Sequence, residues 1–349
     1  MANLQMTLFY VVTHSFQLFP ETYECPEELK QKRFKRPILG AYFLASGVIL
    51  IALYIPCIIV IIRTKCRVAA FQLMLILAIL DVLSLFVNSV TTGIFDLLGA
   101  SFCHYPLFTF IVGSIGLASW MSGCVACILL AIDRCVEINP SFVLGFLFWK
   151  PVFKTVMVLI IVYWVYGLGF SNPILFSAEL SSWFFDPKIG ADPSLYPNIE
   201  HTINNLFVSI ANTSLYIYLC YYLIYKFGYS TSMWLYKSKQ QILIQAVILC
   251  SFHAAAAYIY VYMQFFHSPP CLVIMGQIAW QWSNGSVCIV YLTLNRTIRN
   301  AVVRLLLSKR TREKFKLHIG IDEQLNNASG GCASANAVGA VVMAGKLFS

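Results

Sequence analysis

Residues 111–138 read "IVGSIGLASWMSGCVACILLAIDRCVEI". Residues 111–132 hold no charged side chain, and then an acid and a base, Asp133 and Arg134, stand side by side. A helix needs about 20 apolar residues to cross the hydrocarbon of a bilayer. This run is long enough. The charge pair at its end marks either the point where the helix leaves the lipid or a group that works there.

The rest of the chain repeats the pattern. Of its 349 residues, 59% are apolar and 11% charged, against roughly 25% charged in a soluble domain. Apolar stretches near 38–62, 70–95, 105–132, 155–176, 202–226, 242–266 and 273–294 predict seven spanning helices. Alternating strands of the barrel type are absent, so the reading is an all-α membrane protein, a seven-transmembrane-helix bundle. The net charge of +9 has no water-exposed basic face to sit on, which excludes nucleic acid as a partner. There is no P-loop, no HExxH and no His/carboxylate cluster with metal spacing, so neither an active site, a metal nor a cofactor is expected. Matched inverted halves, the mark of a transporter, are also absent. The first twenty residues make a poor signal peptide, leaving the first span as the targeting signal.

Positive residues in short loops set orientation. Loops after odd-numbered spans carry Arg63, Lys65 and Arg67, then Arg134, Lys150 and Lys154, then Lys226, Lys237 and Lys239; loops after even spans hold only Lys188. The expected layout is an extracellular segment 1–37, a seven-helix domain 38–295 and a cytoplasmic remainder. "KQKRFKRP", residues 30–37, argues the other way, but the loops outnumber it. Ile298, Val302, Leu305 and Leu306 alternate with Arg296, Arg299 and Arg304. Residues 296–317 therefore read as a short amphipathic eighth helix on anionic membrane lipid. The low-complexity tail 318–349 reads as disordered.

A charge inside a span is costly and invites a functional reading. Asp81, in "LAILDVLSL", reads as an interior polar hub that links helices and is able to hold a cation. The sequence then reaches a resemblance. "LAILD" and "IDRC" resemble the LAxxD and DRY motifs of rhodopsin-like G-protein-coupled receptors. "YECP", "LYIPCIIV", "FCHYP", "WFFDP", "HTINN", "GQIAWQWSNG" and "IVYLTLNRTIR" together resemble the nematode serpentine chemoreceptors of class T, over about residues 23–305.

That resemblance implies a chemosensory receptor that catalyses nothing, binds a small odorant-like molecule and activates a heterotrimeric G protein. It implies a plasma-membrane, sensory-cilium location. Asp133 would restrain Arg134 at rest, with Tyr291 and Asn295 completing the switch. Cys135 stands in place of the usual Tyr, and "VCIVY", residues 287–291, in place of NPxxY. A ligand would enter between the outer halves of spans three, five, six and seven. Trp120, His253, Gln264, Gln277 and Trp280 are the candidate contacts there, though the same groups would serve as helix–helix contacts. Span seven has no lysine, which excludes a retinal Schiff base. Cys103 can pair with Cys25 or Cys271, and the resemblance favours Cys25–Cys103. The competing reading is a seven-helix ligand-gated cation channel of the odorant-receptor type, which would place the N-terminus inside.

Overall fold

Seven long helices follow one another in a computed structural model that describes residues 4–64, 68–222, 225, 233–266 and 268–314. They are α1 (Pro37–Arg63), α2 (Ala69–Leu98), α3 (Pro106–Ile138), α4 (Lys150–Phe170), α5 (Ile199–Tyr221), α6 (Met233–Phe265) and α7 (Pro270–Thr293). A small hairpin, β1 (Leu175–Ser177) and β2 (Ser182–Phe184), lies between α4 and α5, and α8 (Arg296–Leu306) follows α7. Lys65, Arg67, Lys226, the side chains of Lys237 and Lys239, and the 318–349 tail fall outside the described residues.

The sequence starts these helices in a recognisable way. Pro37, Pro106 and Pro270 open α1, α3 and α7, and Pro151 is the second residue of α4. Proline's fixed φ suits the first turn, where its missing N–H leaves no bond unmade. Five helices are long and apolar enough to cross a membrane: α1, α2, α3, α4 and the Val247–Phe265 part of α6. In α5 and α7, polar residues dilute the average. The amides among them, Asn204, Asn205, Asn212, Gln277, Gln281 and Asn284, are buried. The opposite face of α5 exposes Ile203, Phe207 and Ile210. Both helices thus turn a polar face inward and an apolar face to lipid, as a spanning helix must.

The middle of the bundle is α3, whose residues pack on every side against α2, α4 and α5. Close approach is set by small residues. A Cβ on Gly93 would lie 2.5 Å from the Leu44 backbone nitrogen, and one on Gly113 only 1.7 Å from the Ile174 carbonyl oxygen. Within α2, residues Phe86–Thr91 form a π turn, and Thr91 and Thr92 donate to the carbonyls of Phe86 (2.9 Å) and Val87 (3.1 Å), five residues back.

Two of the boundaries that differ from expectation have a local cause. The fourth span ends at Phe170, not 176, because Pro173 disfavours helix at Asn172. Asn198 then holds the exit by donating to Ser171 Oγ (2.8 Å) and Asn172 O (3.1 Å). The amphipathic segment 296–317 is not one helix. It stops at Leu306, passes through extended Leu307 and restarts at Lys309–Lys314, where Ser308 Oγ accepts from Thr311 N.

The segment before α1 is packed rather than loose. Met6, Val11, Tyr23, Phe102, Phe110 and Tyr196 form a second core, and the Tyr196 hydroxyl donates to Thr22 O at 2.6 Å. The contrary basic cluster has a local task at this end. Arg33 donates to Leu98 O (3.2 Å), in the last turn of α2, and Arg36 to Glu179 O (2.5 Å). Cations are favoured at a helix C-terminus, where the macrodipole is negative.

Candidate functional site

A cavity of about 380 Å³ opens at the end of the bundle that carries the hairpin. Helices α3, α5, α6 and α7 supply Trp120, His201, Tyr260, Gln264 and Trp280 to its wall, and the hairpin and following loop add Trp183, Phe185 and Lys188. Half of the wall is aromatic, His201 included. Its charged member, Lys188, is paired with Asp186 at 2.9 Å.

Of the expected ligand contacts, Trp120, Gln264 and Trp280 line this cavity. Gln277 and His253 do not. The Gln277 amide donates to Asn88 O (2.8 Å) and Thr92 Oγ1 (3.3 Å) and accepts from Ser182 Oγ (3.1 Å), clamping α7 to α2 and β2. It is fully buried because a glutamine with those partners completes a hydrogen-bonded joint. His253 stacks on Trp120 with centroids 5.9 Å apart and donates from Nδ1 to Leu249 O at 3.0 Å. It borders a smaller cavity of about 50 Å³, further down, whose wall also holds Arg134, Gln245, Tyr291 and Asn295. The Trp120–His253 pair therefore separates the two cavities.

At the lower end, Arg134 Nη2 meets Asp133 Oδ2 at 2.8 Å. Its Nη1 meets Glu137 Oε2 at 2.5 Å. Both partners belong to α3, and α6 contains no acid at all. Glu137 was missed in the sequence reading; its i, i+3 spacing from Arg134 was the available signal. Cys135, the departure from the usual Tyr, is buried against Leu215 and Leu219 of α5. Asn295 caps α8, its Oδ1 accepting from Ile298 N at 3.1 Å. The Tyr291 hydroxyl is buried without a hydrogen bond among the described residues.

Between the cavities and α1, Asp81 is buried, with Oδ2 2.7 Å from the Tyr54 hydroxyl. That hydroxyl also lies 2.6 Å from Asn284 O, so one phenol connects α1, α2 and α7. No group of three His, Cys, Asp or Glu suited to a metal occurs among the described residues. Above the larger cavity, Cys25 and Cys103 form a disulfide, Cα–Cα 5.6 Å, joining the N-terminal segment to the entry of α3. Cys271 is free and exposed.

The residues that sequence reasoning missed come mainly from the hairpin and the start of α5. Trp183 donates to Thr92 Oγ1 at 2.9 Å, holding the hairpin over the cavity. His201 and Asn205 belong to "HTINN", and Trp120 Nε1 donates to Asn205 Oδ1 at 2.9 Å.

A central α3, a hairpin roofing a cavity and a charged lower end together define a class, the seven-helix receptor fold. The crystal structure of squid rhodopsin matches over 85% of this chain and 96% of that one, with a TM-score of 0.56 and 13% identity, a likeness of fold. Residues 6–315 match the serpentine type 7TM GPCR chemoreceptor family Srt, and the chain belongs to it. It is similar to serpentine receptor class T-55 of Caenorhabditis elegans, 24% identical over 312 residues, 85% of this chain and 84% of that protein. This is a family of membrane receptors, not of enzymes.

Proposed function

We propose that this chemoreceptor binds a small odorant-like molecule in the 380 Å³ cavity and activates a heterotrimeric G protein through its Arg134 end. The observation that carries the reading is the shared wall. Trp120 faces the upper cavity, His253 the lower one, and the two rings stack. A ligand that moves the Trp120 ring displaces His253, and with it the packing around Arg134 and Tyr291. Packed side chains of this kind carry coupling where they take two arrangements.

At rest, Asp133 and Glu137 occupy the Arg134 guanidinium. Each pair is partly exposed and contributes up to about 1 kcal/mol. Together they resist release by up to roughly 2 kcal/mol, some thirtyfold in population. That is enough to keep the unliganded receptor quiet and small enough for a ligand to overcome. The freed arginine is then the group a G protein engages. The N-terminus and hairpin face outward, α8 rests on cytoplasmic lipid, and the plasma membrane of a sensory cilium is the expected site. Loop charges support this orientation.

The test is a second-messenger reporter in cells expressing the full chain, read against a chemical panel. Arg134→Ala should abolish ligand-evoked output while surface expression persists. A response that survives the substitution overturns the coupling role of Arg134.

A further inference from the structure

The upper cavity carries more information than its size. Trp120 Nε1 can only donate, so the Asn205 oxygen must face it at 2.9 Å. The Asn205 amide nitrogen then faces His201 Nε2 at 3.2 Å. Two donors cannot share that contact, so Nε2 accepts and the His201 proton resides on Nδ1. His201 is buried, and its Nδ1 has no hydrogen-bond partner among the described residues.

Trp280 Nε1, on the opposite wall, is likewise buried and unpartnered. Between them stands Tyr260, its ring 6.1 Å from His201 and 6.4 Å from Trp280. The Tyr260 hydroxyl is near Ser182 yet makes no hydrogen bond among the described residues. Three neighbouring rings thus each hold a group able to donate and lack an acceptor. Native interiors rarely leave such groups unpaired, and each costs about 1–3 kcal/mol.

The wall is also selective by what it lacks. None of its residues is a carboxylate, and Lys188 is the charged one. An ammonium would meet no carboxylate in the wall and groups that donate as it does, so only the ring faces would offset its burial. A carboxylate would have to draw Lys188 from Asp186.

Taking the cavity to be the ligand site, we propose that its ligand is a neutral, largely apolar molecule bearing a carbonyl-type acceptor oxygen: a ketone, aldehyde, ester or lactone. The oxygen receives the His201, Tyr260 or Trp280 donor, and the hydrocarbon fills the aromatic wall.

The experiment uses the full chain in lipid nanodiscs. It reads the shift in thermal unfolding caused by four probes of one skeleton: nonan-2-one, 2-methylnon-1-ene (CH2 in place of the carbonyl oxygen), nonan-2-amine and nonanoate. The ketone should bind at least tenfold tighter than the alkene, and tighter than the charged probes. Tyr260→Phe, Trp280→Phe and His201→Phe each remove one donor and leave an aromatic ring; at least one should bring the ketone down to the alkene's level. Equal binding of ketone and alkene, or preference for the amine or the acid, overturns the acceptor inference but leaves a ligand cavity. Retention of the full ketone preference in all three variants overturns the assignment of the donors. Binding by none of the four overturns both this inference and the cavity as a ligand site.

Discussion

Glu137 alters what release of Arg134 requires. With Asp133 alone, one carboxylate would need to let go; with a second clasp on the next turn, both must. Glu137→Gln should therefore raise basal signalling up to about fivefold, the equivalent of roughly 1 kcal/mol, and Asp133→Asn should add to it. Unchanged basal output in the double variant would dismiss the clasp. A second residue, His104, bears on pH. It lies in the loop before α3, where its Nδ1 accepts from Ser101 N at 3.1 Å. Partial burial, then the nearby Arg33, holds its pKa below the ordinary 6.5. The folded state thus prefers the neutral ring, and protonation favours unfolding. Its contribution is complete above about pH 6.5 and fades as the pH falls below that value. The unfolding midpoint should drop between about pH 7.5 and 5.5, and His104→Gln should lessen the drop; an identical drop in the variant would assign it to other groups.

At the scale of elements, the tightest joint is α3 against the strand leading into the hairpin. Gly113→Ala would place a methyl carbon inside the Ile174 carbonyl, forcing α3 and β1 apart at about 1–3 kcal/mol. Thermal unfolding of purified protein should fall accordingly. Gly123→Ala, which meets only Leu77 Cδ1 at 4.0 Å, should change little; equal losses at both sites would refute the steric account. Helix existence was readable because lipid demands about 20 apolar residues per crossing. Even α5 and α7, with their buried amides, kept enough apolar length to be recognised. The hairpin was not readable: three-residue strands leave no alternation to detect. Nor was the π turn, which depends on hydroxyls bonding five residues back. The break at Leu307 was hidden because no proline or glycine marks it and Leu305, Leu306 and Leu307 run together.

Across the whole molecule, the N-terminal segment, the hairpin and the α3 entry close over the cavity as one body, tied by Cys25–Cys103 across 78 residues of chain. Cys25→Ser or Cys103→Ser should cost about 2–4 kcal/mol and appear as reduced surface delivery; full delivery of both variants would show the tie to be dispensable. Half of the candidate site was legible for the same reason as the helices. Trp120, Gln264 and Trp280 sit on spans at the right depth, whereas Trp183 and Lys188 reach the cavity from a loop whose path only the fold reveals. Gln277 and His253 were misplaced because periodicity cannot tell a cavity wall from the joint behind it. The π turn in α2 has one more consequence. It holds one residue more than an α turn would, and a single residue is worth about 100° of rotation. Deleting Val90 would let that turn close as ordinary α-helix and keep Gly93 beside Leu44 and Thr92 beside Trp183, whereas deleting Ile79 from the regular helix before it would rotate both away. That helix is a screw whose phase is taken up at one wide turn, the place where its length can lose a residue without unseating the roof.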